Sequence, residues 1–385
     1  MSTFQKAILF FLVFSLLFSS LMFAPAAVSE KVPLSLSAQS AILIDAESGC
    51  VIYEKEASLP LPMASTTKIM TALVALEEMS PEAIITVDPA AVGVEGSSVY
   101  LVPGERLTLE ALLYALLLES ANDAAVAIAI GVAGSVEAFA AMMNERAQQM
   151  GLVRTHFENP HGLDHENHYT TARELAEIAR AALENELLST IVSTRKATIP
   201  HTETEGGRLL VNHNKMLRMY EGCIGLKTGY TQRSGRCLVS AAKREGLTLI
   251  AVTINAPGDW EDHTRMLDHG FSLFHSVTLC DSGDILYPLA LVGGDNAYVM
   301  LGNTVAVTAT LPRGDIKIET RIECRRFEYA AVLEGSVCGR AVFLADTDRD
   351  GKRETVGDVP LIALYTVGKQ PSKNKFWAWI TSLFD

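Results

Sequence analysis

The sequence predicts an α/β domain, built from an antiparallel sheet with helices plus a helical subdomain. A small all-β domain and a C-terminal amphipathic helix follow it. Strand-like apolar runs open the main domain, helical spacing fills its middle, and short strands and a helix end it. From about residue 277 the pattern is purely β, and the last residues return to helical spacing. A length of 385 residues allows two or three such domains.

The N-terminus predicts export. Lys6 precedes an apolar run over 7–23, and small residues follow at Ala24 and Ala26. A charged start, an apolar core and a small-residue cleavage site form a secretory signal peptide. We expect this signal peptide at 1–26, with an uncleaved membrane anchor as the alternative, and either one exports the rest of the chain.

The main domain is expected over 30–276. Residues 40–55 predict a hairpin, because apolar runs flank a turn that contains Gly49. The run over 107–119 is apolar nearly all round and predicts a buried helix. The other expected elements are helices over 69–78, 124–133, 136–150 and 171–183, strands over 224–228, 237–242 and 247–254, and a helix over 262–274.

A small β domain is expected over 277–367. Residues 316–324, IKIETRIEC, alternate apolar and charged side chains, which predicts a half-buried strand. The tail, 368–385, carries lysines beside an apolar helix face. That face is formed by Phe376, Trp377, Trp379, Ile380, Leu383 and Phe384. Such a helix suits a membrane surface, and docking on the β domain is the alternative.

Charge and cysteine spacing exclude several classes of function. A net charge of −13 gives no electrostatic basis for binding nucleic acid. The six cysteines match no metal or redox spacing and are expected to be mostly core thiols, with a Cys324–Cys338 pair left open. DTDRDG at 346–351 begins like a calcium loop, but Gly357 stands at the twelfth position, which favours a polar turn. We expect no metal and no cofactor.

Three short motifs carry the chemistry. They are Ser65-Thr66-Thr67-Lys68 at a helix start, Ser120-Ala121-Asn122 after the buried helix, and Lys227-Thr228-Gly229 on a strand. Each motif alone is weak, and Ser65 by itself could be a helix N-cap. Together and in this order they are typical of serine enzymes that form an acyl intermediate.

The residue types fit that chemistry. Helix positions three apart share a face, so Lys68 can accept the proton of a Ser65 nucleophile. A lysine acts as a base only if burial or a nearby cation lowers its pKa, and Lys227 would supply that cation. The positive end of the helix dipole would stabilise negative charge developing on Ser65.

The remaining motif residues would bind the substrate. Ser120 can relay the proton to the leaving amine, and Asn122 can hold a substrate amide. Lys227 and Thr228 suit a substrate carboxylate, and Gly229 leaves room for a substrate backbone beside the strand. The backbone N–H groups of Ser65 and Tyr230 are the natural pair of donors for an oxyanion.

On these motifs the chain resembles serine-type D-alanyl-D-alanine carboxypeptidases, the low-molecular-mass penicillin-binding proteins. The resemblance covers nearly the whole chain and includes ESANDAAVAIA, FENPHGLDHENHYTTARELAEIA, NHNKML and GCIGLKTGYT. It implies a serine β-lactamase/penicillin-binding-protein-like fold and removal of the terminal D-alanine from peptidoglycan stem pentapeptides through an acyl-Ser65 intermediate. It also implies covalent inhibition by β-lactams and a place at the extracytoplasmic face of the cell membrane.

The sequence departs from the family pattern at one point, and several other functions could use the same motifs. Many relatives carry a carboxylate-binding arginine near 255–267, where this chain has Asp259, Glu261 and Asp262, with Arg265 deeper in the helix. Carboxylate binding is therefore expected to rest on Lys227 and Thr228. A β-lactamase, a D,D-endopeptidase and a sensor that is acylated without turnover would use the same motifs. A Ser-His-Asp triad with His161 and Asp164 is disfavoured, because Lys68 already fills the role of the base.

Overall fold

The computed structural model describes residues 34–201, 206–347 and 351–370. The predicted signal peptide and residues 371–385 of the predicted membrane tail lie outside this range. So do residues 348–350 of the DTDRDG turn.

The helices occupy the ranges that the spacing predicted, and their ends agree with the prediction within three residues. Thr171 is the N-cap of the helix that begins at Ala172, because its side chain accepts a hydrogen bond from the Glu174 N–H. Two short helices, at Glu186–Ser193 and Met216–Met219, were not predicted. The helices are α1 (Lys68–Glu78), α2 (Leu109–Leu118), α3 (Asn122–Ala133), α4 (Val136–Gln149), α5 (Ala172–Glu184), α6 (Glu186–Ser193), α7 (Met216–Met219) and α8 (Asp259–Leu273).

Strands precede and follow the helical region. Short stretches of 3-10 helix lie at Ala64–Thr67 and Pro89–Ala91. The strands are β1 (Ser40–Asp45), β2 (Val51–Lys55), β3 (Ile84–Thr86), β4 (Arg106–Thr108), β5 (Lys196–Ile199), β6 (Arg208–Val211), β7 (Cys223–Thr231), β8 (Gly235–Arg244), β9 (Leu247–Ile254), β10 (Phe274–Cys280), β11 (Leu286–Val292), β12 (Tyr298–Gly302), β13 (Val307–Pro312), β14 (Ile318–Cys324), β15 (Glu328–Tyr329), β16 (Val337–Ala345) and β17 (Glu354–Ala363).

The main sheet joins the two ends of the predicted main domain. Its order is β2-β1-β9-β8-β7, and each neighbouring pair is antiparallel. The predicted hairpin is present as β1 and β2, and β1 also pairs with β9, so that Ser40 lies opposite Ile254. The expected antiparallel sheet with helices is thus confirmed, and β7, which carries the K-T-G motif, forms one edge of it.

The helices form a group around α1. This helix contacts α2, α3, α4 and α5, while α5 and α8 also pack against β9. Helix α2 is buried as predicted, with eight of its ten residues in the core. One apolar cluster joins the helices α1 to α6 to the main sheet, and the motif residue Lys68 at the start of α1 is buried beside it.

The C-terminal strands form a second β structure with its own apolar cluster. Six of them make a sheet in the order β14-β16-β17-β12-β11-β15, and β10 pairs with β13. The predicted strand at 316–324 begins at Ile318, and its first four residues are exposed because it is an edge strand. The half-buried interpretation therefore fits only its second half, and the proposed domain limits at 277 and 367 stay a prediction.

The burial of the cysteines tests one expectation from the sequence. Cys237 and Cys280 are buried in the two apolar clusters, and Cys324 and Cys338 pack against the second cluster as thiols rather than as a disulfide, whereas Cys50 is exposed. Within the described ranges no single helix has both the length and the apolar character to cross a bilayer. Among the described helices, only the bent pair α3–α4 meets both criteria, and only when the two helices are taken together.

Candidate active site

Ser65 lies in the 3-10 helix that leads into α1. The residue before it, Ala64, has a left-handed backbone with φ 49°, which is unusual for a residue with a Cβ. The N-cap positions of the 3-10 helix and of α1 are Met63 and Thr67, and neither caps through its side chain. The N-cap interpretation of Ser65 was therefore wrong, and the Ser65 hydroxyl contacts Lys68 instead.

Lys68 is the first residue of α1 and is completely buried. Its Nζ lies 2.9 Å from Ser65 Oγ, 2.6 Å from Asn122 Oδ1 and 2.8 Å from the carbonyl oxygen of His161. The oxygens of Asn122 and His161 thus hold the amine against the serine. The i to i+3 relation predicted from sequence does bring the two side chains together.

Burial lowers the pKa of Lys68 well below its usual value, and the nearby charge of Lys227 lowers that pKa further. Asp123, buried at the start of α3, opposes this shift. Lys227 is itself 1% exposed, and burial lowers its pKa to about 7. The environment therefore favours a neutral Lys68, which is the protonation state that a base needs.

The second motif turns the chain from α2 to α3. Ser120 has φ 61°, and Asn122 is the first residue of α3. The Asn122 amide is shared between two protein groups, because Oδ1 accepts from Lys68 and Nδ2 donates to the Glu95 carbonyl at 2.5 Å. This contact set differs from the expected bond to a substrate amide and makes Asn122 a support for Lys68.

The third motif lies on the edge strand β7, close to the serine. A Cβ built on Gly229 would lie 3.0 Å from the backbone nitrogen of Ser65 and 3.1 Å from the Met63 carbonyl oxygen. This space was expected to hold a substrate backbone, but the chain before Ser65 fills it. Glycine at this position lets β7 approach the serine closely. Lys227 Nζ donates to the Thr228 carbonyl at 2.9 Å.

Residues 156–168 dock onto the segment that carries Ser65. Thr71 Oγ1 donates to the Pro160 carbonyl at 2.6 Å, and Thr67 Oγ1 lies 2.8 Å from His168 Nε2. Burial holds the pKa of His168 at about 3, so this histidine is neutral and acts as a structural hydrogen-bonding group. A structured loop beside the site was expected around His161, and the individual contacts that dock it come from the tertiary fold.

His161 and Asp164 do not form the Ser-His-Asp triad that the sequence disfavoured. The carboxylate of Asp164 accepts a hydrogen bond from Thr231 Oγ1 at 2.9 Å, and His161 Nδ1 accepts from the Leu163 N–H at 3.2 Å. His161 serves the site through its backbone carbonyl, which bonds Lys68.

Gly162 makes the tightest approach in this docking. It has φ +87°, and a Cβ there would lie 1.9 Å from the Ala64 carbonyl oxygen. We predict that Gly162→Ala lowers the free energy of unfolding by about 2–4 kcal/mol, through left-handed strain and overpacking. It should also slow acylation by a fluorescent penicillin, because Ala64 adjoins Ser65.

The matched control is Gly104→Ala, at φ +80° with nothing within 4 Å of the added Cβ. It carries the backbone strain alone and should cost about 1–2 kcal/mol, with normal acylation. Equal losses of stability in denaturant titrations of the two variants would show that the contact with Ala64 is unimportant.

A cavity of about 310 Å³ opens beside Ser65. Its lining includes predicted residues from all three motifs and residues that the sequence analysis missed. It is lined by Ser65, Ser97, Ser120, His213, Thr228, Gly229, Tyr230, Arg236, Asp259 and Trp260. The described residues contain no cluster of three or more His, Cys, Asp or Glu side chains that could hold a metal ion.

Comparisons with known proteins agree with this site. The profile of the Peptidase_S11 family, D-alanyl-D-alanine carboxypeptidase, matches residues 26–258. The D-alanyl-D-alanine carboxypeptidase DacF of Bacillus subtilis is 31% identical over 85% of this chain and 87% of its own length. DacC of Escherichia coli is 30% identical over 94% of this chain and 93% of its own.

A solved structure extends the similarity to the fold. Penicillin-binding protein 5 from Haemophilus influenzae superposes with a TM-score of 0.73 at 27% identity, over 88% of this chain and 99% of that protein. The similarity therefore extends beyond the main sheet and helices into the C-terminal β strands.

Proposed function

This chain belongs to the Peptidase_S11 family of D-alanyl-D-alanine carboxypeptidases, and on that premise we propose that Ser65 is its nucleophile. The proposed reaction removes the terminal D-alanine from peptidoglycan stem pentapeptides through an ester on Ser65. The observation that carries it is the 2.9 Å contact between Ser65 Oγ and the buried amine of Lys68.

In the acylation step Ser65 Oγ attacks the carbonyl carbon of the penultimate D-alanine, and its proton passes to Lys68 Nζ. The bond from that carbon to the leaving nitrogen then breaks, and the leaving D-alanine takes the proton from Lys68 through Ser120, a proposed relay that is supported by the position of Ser120 in the cavity lining. Asn122 and the His161 carbonyl keep the Lys68 amine in line with the serine. Water then attacks the carbonyl carbon of the ester and gives up a proton, which passes by way of Lys68 to Ser65 Oγ. The bond from that carbon to Oγ breaks, and the shortened peptide leaves with a new terminal carboxylate.

Two backbone N–H groups, those of Ser65 and Tyr230, would stabilise the oxyanion. Support comes from the close approach of β7 to the serine, since Gly229 precedes Tyr230 and its missing Cβ faces Ser65 N. Lys227 would lower the pKa of Lys68 and, with Thr228, attract the carboxylate of the substrate. Thr228 lines the cavity and Lys227 lies directly before it on β7.

The same site would be acylated by β-lactams, which resemble the D-alanyl-D-alanine terminus. We further propose that the chain is exported by residues 1–26 and held at the outer face of the cell membrane by the tail at 368–385. These two segments carry the sequence features of a signal peptide and of an interfacial helix.

The test is incubation of the purified protein with diacetyl-Lys-D-Ala-D-Ala, with chromatographic measurement of D-alanine and diacetyl-Lys-D-Ala. We expect steady release of both products in equal amounts. A stable penicillin adduct without peptide turnover would favour the sensor, and rapid loss of that adduct with hydrolysed penicillin would favour a β-lactamase. Cleavage of cross-linked dimers but not of this peptide would favour an endopeptidase.

A further inference from the structure

The cavity beside Ser65 contains an arginine that the three motifs do not include. Arg236 lies in β8 directly opposite Tyr230 of β7. Residues opposite each other in an antiparallel pair share a face of the sheet, and Thr228, two residues from Tyr230, shares it as well. Arg236 therefore lines the same cavity as Thr228 and Tyr230.

Protein groups hold the guanidinium in one orientation. Nη2 of Arg236 is paired with Asp259 Oδ2 at 3.0 Å, and its Cζ lies 5.6 Å from the ring centroid of Trp260. Asp259 Oδ1 accepts the Trp260 N–H at 2.9 Å, which fixes the carboxylate relative to the ring. The Arg236 carbonyl accepts the Ala256 N–H at 2.9 Å, so the backbone of β8 is tied to the loop that leads to α8.

The ion pair presents its cation to the cavity. The side chain of Arg236 is 42% exposed, whereas that of Asp259 is 4% exposed. A guanidinium has five N–H donors in a fixed fork, so the contact with one Asp259 oxygen leaves donors for a second acceptor. The Nε–H is buried and makes no hydrogen bond with the described residues, so the protein does not use the donor capacity fully.

Arg265, the other arginine near this segment, is placed differently. It lies within α8, its Nη2 pairs with Glu261 one turn earlier at 2.5 Å, and it is not among the residues that line the cavity. Of the two, only Arg236 is therefore placed to meet a ligand next to Ser65.

We propose that Arg236 binds the C-terminal carboxylate of the peptide substrate, with Asp259 and Trp260 as positioning residues. This inference rests on the proposed function, because the substrate must end in a carboxylate one residue beyond the bond that Ser65 attacks. Guanidinium and carboxylate groups match in a planar, two-point contact, which favours a free C-terminal acid over a neutral terminus. Arg236 is then a specificity-determining residue delivered by β8.

The test compares diacetyl-Lys-D-Ala-D-Ala with the same peptide ending in an amide. Both release diacetyl-Lys-D-Ala, so one chromatographic assay gives kcat/KM for each. For Arg236→Gln we expect kcat/KM on the acid to fall about 10–100-fold, the loss typical of a hydrogen bond to a charged group. The value for the amide should change by less than about threefold. Arg236→Lys keeps the charge without the fork and should fall in between.

Arg233→Gln is the matched control, because Arg233 is an exposed arginine between β7 and β8 that does not line the cavity. It should leave both rates unchanged. An unaltered acid-to-amide ratio in a folded Arg236→Gln protein would overturn the inference. If that variant does not fold, the acid-to-amide ratio is measured in Arg236→Lys. A lowered ratio would then support the inference, and an unaltered ratio would overturn it. Failure of the wild-type protein to cleave the acid would overturn the proposed function itself, and this inference with it.

Discussion

Replacement of Ser65 by alanine is expected to abolish both D-alanine release and covalent labelling by penicillin. The change removes only the hydroxyl group, and without its oxygen no ester can form. We expect the rate of peptide cleavage to fall by at least about a thousandfold, as for other enzymes that lose their nucleophile. Intact-mass spectrometry after incubation with penicillin should show the adduct on the wild-type protein alone.

The control for this experiment is Ser272→Ala, because Ser272 is an exposed serine near the end of α8 and its Oγ bonds only locally, to the His269 carbonyl. It should be labelled and active like the wild type. Ser65→Ala should keep a normal melting temperature, since Ser65 does not cap a helix. A folded Ser65→Ala protein that still releases D-alanine would refute the mechanism.

Replacement of Lys68 by methionine is expected to leave a folded protein that is acylated about 100- to 10,000-fold more slowly, the range for loss of a general base. Methionine has a similar length but no amine, so Ser65 loses its proton acceptor. Lys196→Met is the control, because Lys196 is exposed on β5. The measurement is the rate of labelling by a fluorescent penicillin, and equal rates for Lys68→Met and wild type would exclude Lys68 as the base.

The pH dependence of the same rate tests the role of Lys227. Burial and the charge of Lys227 both lower the pKa of Lys68, and acylation needs Lys68 neutral. The rate should therefore rise as the pH rises through the pKa of Lys68. In Lys227→Met the repelling charge is gone, so the pKa of Lys68 should rise and this limb should move to higher pH. A limb that stays in place would show that burial alone sets the pKa.

The motifs and most of the elements could be predicted from the sequence because their signals are local. Spacing of three on a helix brings Ser65 and Lys68 together, and alternation or apolar runs mark β7, β8 and β9. The alternative interpretation of Ser65 as an N-cap does not hold, and the reason is related. Serine favours helix starts in general, but here a left-handed Ala64 and a 3-10 turn place Ser65 inside the turn, facing Lys68.

What the sequence could not predict depends on contacts between distant segments. Nothing local indicates that Gly162 lies against the Ala64 carbonyl, or that the Asn122 amide is shared by Lys68 and Glu95. Arg236 was overlooked for the same reason. Its partners Asp259 and Trp260 follow it by more than twenty residues, and only the pairing of β8 with β7 and β9 brings them to the cavity.

The position of β9 between β1 and β8 has a consequence for the timing of activity. β9 ends at Ile254 and pairs with the strand that begins at Ser40, so the main sheet remains divided until the chain has been made beyond residue 254. Contacts between such distant segments slow folding. A nascent chain that already contains Ser65, Lys68 and Ser120 therefore still lacks the joined sheet that holds β7 beside them. Reactivity with penicillin should thus report completed folding of the chain rather than the mere presence of its serine.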